Sequence, residues 1–163
     1  MEKPLLNSEI GELLGGVVRV IRYNDIFEFG SLAELLGSAG AVVILYPGED
    51  ESSGHWTCLF LARLLDGRPC LEFFDPYGIS PDLEFMESTH NQTNPRVLAL
   101  WLSRQRLPVV YNEQPIQSRR GNIATCGRHV VVRLWHRDMP LEMYRAIFGG
   151  RGADKIVTRL TGY

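Results

Sequence analysis

Three residues that lie far apart in the sequence carry side chains that together could perform nucleophilic catalysis: His55, Asp75 and Cys126. An imidazole beside a thiol can take its proton and leave a thiolate–imidazolium pair, and a carboxylate on the far side of the ring fixes its tautomer. Each residue alone also has an ordinary explanation, as an exposed histidine, a turn-starting aspartate or a buried and inert cysteine. The combination predicts a Cys-His-Asp triad.

Cys126 lies where a polar loop meets an apolar run with helical spacing, formed by Val130, Val131, Leu134 and Trp135. A strand also remains possible because three valines are consecutive. The unpaired N–H groups of a helix that begins at Cys126 would favour a thiolate. Three arginines close in sequence could add to that positive field: Arg119, Arg120 and Arg128.

Acyl transfer also requires hydrogen-bond donors directed at the developing oxyanion. The backbone N–H of Cys126 is one candidate, and a glutamine amide from the preceding loop is the other. We prefer Gln117, which is nearer the cysteine, to Gln114, which Pro115 follows in a turn-like sequence. At Gly127 the lack of a side chain would leave room for a substrate that approaches the sulfur.

The histidine and the aspartate must be brought together by a hairpin. Two extended segments, 55–65 and 68–74, flank an Asp-Gly pair, which is a strong hairpin signal. Since a hairpin returns on itself, His55 and Asp75 are expected at the same open end of the ribbon.

The register of that hairpin decides whether the two side chains can meet. An ideal two-residue turn would pair Leu65 with Arg68, and it would place His55 and Asp75 on opposite faces of the sheet. One more residue in the turn, or a bulge, would put them on the same face. We therefore predict an irregularity within residues 63–70.

The remaining pattern predicts one α+β domain over residues 1–163, with a central mixed β-sheet flanked by helices and the cysteine at a helix N-terminus. Hairpin-connected strands, not a strict strand–helix alternation, favour this class. The predicted helices are 5–14, 31–37, 95–105, 126–137 and 140–148; the predicted strands are 17–23, 41–46, 55–65, 68–74 and 107–111; a long polar loop covers 112–125, and a glycine-rich tail ends the chain.

Composition narrows the class of protein. With 163 residues, 45% hydrophobic and 22% charged, the chain has the composition of an ordinary soluble globular protein. No apolar run approaches the roughly 18–20 residues of a membrane helix, and the polar N-terminus argues against secretion. Three cysteines without dense spacing indicate an intracellular reducing compartment.

Charge is unevenly distributed along the chain. The formal net charge of −2 predicts no general affinity for nucleic acid or anionic membranes. The segment 104–137, however, contains seven arginines and a single acidic residue, Glu113. It is interpreted as a solvated face, with a docking surface for an acidic or nucleic-acid partner as the alternative.

Four short motifs, in this order, resemble the Ulp1/adenain-like clan of cysteine proteases. They are GHW (54–56), FFDPYG (73–78), the glutamine of QSRRGNIA and TCGR (125–128). The order His, Asp, Gln, Cys differs from that of papain-like and transglutaminase-like enzymes, in which the cysteine comes first.

The resemblance implies a role for each matching residue. His55 would be general base and acid, Asp75 would orient it, and Cys126 would be the nucleophile. Gln117 would donate to the oxyanion, although the family's glutamine usually lies closer to the cysteine. Trp56 would line the cleft beside the active site, with a core aromatic as the alternative interpretation.

The resemblance also implies a substrate class and leaves alternatives. It predicts an endopeptidase without cofactors or membrane association, acting on viral structural precursors or ubiquitin-like proteins in the cytoplasm, nucleus or virion. The small chain resembles viral or Polinton-type maturation proteases. Alternatives are a deubiquitinating or deSUMOylating isopeptidase, an acetyltransferase of the same clan and a catalytically silent binding module. A metal site from His55, Cys58, Cys70 and His129 lacks the short CxxC spacing of structural zinc sites.

Overall fold

The computed structural model describes residues 3–48, 54–81, 97–119 and 124–162. Its helices are α1 (Asn7–Leu13), α2 (Leu32–Leu36), α3 (Val97–Ser103), α4 (Cys126–Trp135), α5 (Leu141–Phe148) and α6 (Ala153–Thr161), together with a 3₁₀ helix (Tyr23–Glu28). Its strands are β1 (Arg19–Arg22), β2 (Ala41–Pro47), β3 (Gly54–Arg63), β4 (Pro69–Phe74) and β5 (Val109–Tyr111).

The strands form one mixed sheet in the order β1-β2-β3-β4-β5. The two outer pairs, β1–β2 and β4–β5, are parallel, whereas β3 is antiparallel to both of its neighbours. Helices cover both faces, so the predicted α+β class with a mixed sheet is confirmed. Within the described part of the chain, no helix is both long enough and apolar enough to cross a membrane.

The central strands bury both of their faces. On one face, Trp56, Cys58 and Phe60 of β3 belong to a core that includes residues of α1, α4, α5 and α6. On the other face, Leu59 of β3 joins a second core with residues of the 3₁₀ helix, α2 and α3. Burial on both faces explains why strands such as β2 are almost continuously apolar and do not alternate.

Local signals set several element ends where they were predicted. The Ser31 hydroxyl accepts the N–H of Glu34 at 3.1 Å, which caps α2, and Gly37 ends that helix with a φ of +60°. The helical reading of 126–137 is confirmed, so the strand alternative suggested by the triple valine is wrong.

The C-terminal segment was predicted only as a glycine-rich tail, but it contains the helix α6. Ala153, Val157 and Thr161 recur every four residues and are buried. Gly152, with a φ of +85°, precedes the helix. The correction matters for the site, because α6 packs against α4.

The β3–β4 connection contains the irregularity predicted within residues 63–70. The Leu64 N–H bonds to the Arg68 carbonyl at 2.9 Å, so the loop has three residues and not two. Gly67 takes the left-handed conformation that such a turn needs, with a φ of +84°. Cys58 consequently pairs with Phe74, which places His55 and Asp75 on the same face.

Candidate active site

His55 and Asp75 meet at the open end of the hairpin. His55 is the second residue of β3, and Asp75 directly follows β4. The imidazole Nε2 lies 2.5 Å from the Asp75 Oδ1, with the histidine 6% exposed and the aspartate fully buried. A short contact between an imidazole and a buried carboxylate orients the ring and stabilises its protonated form.

Cys126, the first residue of α4, completes the group by hydrogen bonding with His55. Because Asp75 engages Nε2, Nδ1 is the ring nitrogen that remains for a second partner. Burial lowers the pKa of His55, but the hydrogen bonds and negative charges of Asp75 and Cys126 outweigh it and raise that pKa to about 10. The imidazolium therefore persists at neutral pH beside the Cys126 sulfur.

Tyr77 and Arg119 cover one side of the histidine. The Tyr77 ring stacks on the His55 ring with centroids 4.3 Å apart, and its backbone N–H donates to the Asp75 Oδ1 at 2.7 Å. The Arg119 guanidinium lies 5.1 Å from the centre of the Tyr77 ring. One aspartate oxygen and one aromatic face thus hold the imidazole in a single orientation.

The other two arginines predicted to act on Cys126 differ from Arg119. Arg128 is buried, and its guanidinium donates to the Thr161 hydroxyl at 2.7 Å and to the Lys3 carbonyl at 3.1 Å. These contacts tie α4 to α6 and to the N-terminal segment, so its role is structural. Arg120 lies outside the described residues.

The structure separates the two candidate oxyanion donors. Gln117 is buried, and its backbone N–H donates to the Pro76 carbonyl at 3.0 Å, directly beside Asp75. Gln114 is exposed, and its backbone packs closely against Gly78. A Cβ added at Gly78 would lie 2.6 Å from the Gln114 carbonyl carbon. Burial beside the site favours Gln117.

Trp56 and Gly127, both predicted to face substrate, contact each other inside the core. Trp56 is only 7% exposed. A Cβ at Gly127 would lie 3.1 Å from Ile10, 3.2 Å from Trp56 and 3.3 Å from Leu5. The absence of a side chain at Gly127 therefore lets the N-terminal segment and Trp56 pack against α4.

Asn112, the first residue of the predicted polar loop, supports the aspartate. It is fully buried, its Oδ1 accepts the backbone N–H of Asp75 at 3.1 Å, and its Nδ2 donates to the Asp75 carbonyl at 2.5 Å. The side chain thus mimics a neighbouring strand just beyond β5 and holds the triad carboxylate in place. A polar residue directly after an apolar strand was the available sequence signal.

We expect Asn112→Ala to lower the free energy of unfolding by about 2–4 kcal/mol, because two buried backbone groups of Asp75 lose their partners. Urea unfolding of wild type and variant measures the change. The control is Asn24→Ala at an exposed asparagine, which should change stability by less than about 0.5 kcal/mol. Equal effects of the two substitutions would contradict the proposed support of Asp75.

The other cysteines and histidines belong to separate environments. Cys58 and Cys70 are fully buried, and burial raises the pKa of both thiols. His129 bonds to Asp154 at 2.9 Å. Among the described residues, no group of three or more His, Cys, Asp or Glu side chains is arranged to hold a metal ion.

The arginines of segment 104–137 do not all lie on one surface. Arg128 and Arg133 are fully buried, and Arg133 forms an ion pair with Glu72. Arg104 and Arg106 are exposed. The apparent excess of positive charge in sequence therefore includes side chains that fasten the core together.

Comparison with known proteins identifies a viral relative of this chain. No family profile matches this sequence. A curated protein, "Uncharacterized protein V9" of Sputnik virophage, is 34% identical over 148 residues, which covers 86% of this chain and 81% of that protein. The chain belongs to the family of this virophage protein. A viral relative agrees with the predicted viral character of the chain.

One solved structure matches the chain along most of its length, but weakly. It is the "Central domain of uncharacterized Lpg1148 protein from Legionella pneumophila", with a TM-score of 0.40 and 19% identity. The match covers 98% of this chain and 88% of the other. A likeness at this level carries no argument about fold or chemistry.

Proposed function

We propose that this protein is a cysteine endopeptidase that cleaves polypeptides through an acyl-enzyme on Cys126. One observation carries the proposal: His55 hydrogen bonds with Asp75 on one side and with Cys126 on the other. A thiol, an imidazole and a carboxylate in this sequence of contacts form the usual arrangement for an activated sulfur nucleophile.

In the first half-reaction, the Cys126 thiolate attacks the carbonyl carbon of the scissile bond, and a C–S bond forms as the carbonyl oxygen becomes an oxyanion. The Cys126 N–H and the Gln117 amide would stabilise that charge. His55 then gives its proton to the leaving nitrogen as the C–N bond breaks. The products are a free amine and a thioester.

In the second half-reaction, His55 takes a proton from water, and the resulting hydroxide attacks the thioester carbon. The C–S bond breaks, the acid is released, and the thiolate–imidazolium pair is restored. Asp75 keeps the imidazole oriented throughout.

The order of the groups and the nucleophile at a helix start support an Ulp1/adenain-like fold for this α+β chain. The relative in Sputnik virophage supports a viral setting. We therefore propose a maturation-type protease whose substrates are precursors of viral structural proteins.

The test compares wild type with Cys126→Ala on candidate viral precursors and on a peptide mixture, with new termini read by mass spectrometry. Wild type should generate new termini, and the variant should generate none. Cys70→Ala is the matched control, because it removes a buried thiol outside the triad and should retain cleavage.

Two further arms separate related chemistries. Release of ubiquitin-like proteins from lysine side chains, without cleavage of precursors, would show that the protein is an isopeptidase and not an endopeptidase. Transfer of the acyl group from acyl-CoA to lysine, without hydrolysis of peptides, would show that the protein is an acyltransferase. Cleavage by Cys126→Ala at the wild-type rate would overturn the proposed mechanism.

A further inference from the structure

Asp154, the second residue of α6, connects the two segments that carry the nucleophile and the oxyanion donor. Its Oδ1 accepts the Thr125 hydroxyl at 2.5 Å and the His129 Nε2–H at 2.9 Å. Its Oδ2 accepts the backbone N–H of Ser118 at 3.1 Å. One carboxylate thus binds three donors from two different parts of the chain.

Two of these donors lie on either side of the nucleophile. Thr125 directly precedes Cys126. The backbone N–H of His129 donates to the Thr125 carbonyl at 3.0 Å and so closes the first turn of α4. The Thr125 side chain makes no capping bond to the helix, because its hydroxyl is committed to Asp154. The position of the first turn of α4, and with it the sulfur, therefore depends on this carboxylate.

The third donor lies beside Gln117. The Ser118 N–H points to Asp154, while the Gln117 N–H points to the Pro76 carbonyl at 3.0 Å. The backbone at the candidate oxyanion donor is consequently held from two sides. One side is the turn after Asp75, and the other is α6.

The electrostatics agree with an ionised carboxylate at this point. Burial raises the pKa of Asp154, but the hydrogen bonds from His129, Thr125 and Ser118 outweigh it, so that the pKa lies below its usual value. A carboxylate offers only acceptors, which matches three converging donors.

We infer that Asp154 is a positioning residue for the proposed hydrolysis, one that holds Cys126 and Gln117 in place relative to each other through Thr125, His129 and Ser118. The inference rests on the proposed function for its catalytic meaning. Asp154 acts through these neighbours, and its hydrogen bonds with them are present in the protein without substrate.

The test uses Asp154→Asn and Asp154→Ala in the full chain, with Asp138→Asn as a control at an exposed aspartate. We expect kcat to fall about 10- to 100-fold while KM changes less than about threefold, because a displacement near 1 Å at the reacting groups has this effect. The rate of iodoacetamide alkylation of Cys126 near pH 6 should fall about tenfold, and the control should match wild type.

Cys58 and Cys70 report on folding in the same alkylation experiment, since both are fully buried. If Cys58 and Cys70 become labelled together with Cys126 in the Asp154 variants, Asp154 has only a general structural role and the inference is wrong. The same conclusion follows if Asp138→Asn loses as much activity as the Asp154 variants. Wild-type kcat and wild-type alkylation of Cys126 in both Asp154 variants would also overturn it.

A milder variant keeps the test decisive if the Asp154 variants do not fold. Thr125→Val removes one of the three donors with little change in volume, and we expect a smaller loss of kcat and of Cys126 alkylation in the same direction. No change in either rate would contradict the inference. The alkylation rates do not require a substrate, so a failure of the proposed peptidase function would appear separately, as an absence of cleavage by wild type.

Discussion

Replacing His55 by alanine is expected to lower kcat for peptide hydrolysis by about 10⁴- to 10⁶-fold, the loss seen when a triad base is removed. His55 links Cys126 to Asp75 and carries the proton that both half-reactions need. Steady-state kinetics on the identified peptide measures the loss. Cleavage at more than about a tenth of the wild-type rate would exclude His55 as the catalytic base.

Thiol chemistry gives a second measure of the same substitution. In wild type at pH 6, iodoacetamide should label Cys126 well before Cys58 and Cys70, whose pKa values are raised by burial. In His55→Ala the rate at Cys126 should fall about 10- to 100-fold, because the imidazolium that favours its thiolate is lost. His136→Ala, which removes a half-buried histidine, serves as the control. Equal labelling of all three wild-type cysteines would contradict an activated thiol.

The raised pKa of His55 also couples folding to pH. In the folded protein the pKa of His55 is about 10, whereas in the unfolded chain the imidazole loses its proton near the ordinary histidine pKa of 6.5. The resulting stabilisation is fully present below pH 6.5 and is lost as the pH rises through about 10. Urea unfolding at pH 6 and pH 10 should therefore show that the stability difference between wild type and His55→Ala shrinks at the higher pH.

Replacing Glu72 by alanine is expected to lower the free energy of unfolding by about 3–5 kcal/mol, because it leaves the Arg133 guanidinium buried without its counter-charge. The two side chains are 1% and 0% exposed, and their two contacts measure 2.7 and 2.8 Å. Urea unfolding compares this variant with Glu142→Ala, in which an exposed glutamate is removed. A change below about 1 kcal/mol would show that Arg133 finds other compensation.

The remaining contacts of Arg133 explain why the pair is sensitive. Its guanidinium also donates to the carbonyls of His136 at 2.8 Å and Met139 at 2.9 Å, which close the C-terminal end of α4. The ion pair with Glu72 therefore fastens the helix that begins with Cys126 to strand β4. Replacing both partners by apolar residues, as in Glu72→Leu with Arg133→Met, should recover part of the lost stability: no unpaired charge is left behind, but the His136 and Met139 carbonyls lose their donor.

Sequence alone predicted the parts of this protein that depend on neighbouring residues. An Asp-Gly pair between two apolar runs located the β3–β4 hairpin, and Ser31 with Glu34 and Gly37 located α2. The turn between β3 and β4 was predicted to be irregular because otherwise His55 and Asp75 would face apart. The hairpin and helix signals are local, since turn and capping preferences are expressed within a few residues.

Tertiary structure alone decided which distant side chains support the site. Asn112 reaches Asp75 across 37 residues, Asp154 reaches Thr125 across 29, and Arg133 reaches Glu72 across 61. In the sequence, Asn112 resembles an ordinary polar loop residue, Asp154 lies in a glycine-rich tail, and Arg133 looks like part of a charged surface. Their roles appear only when packing buries them, because a buried polar group must find a partner wherever the fold brings one within reach.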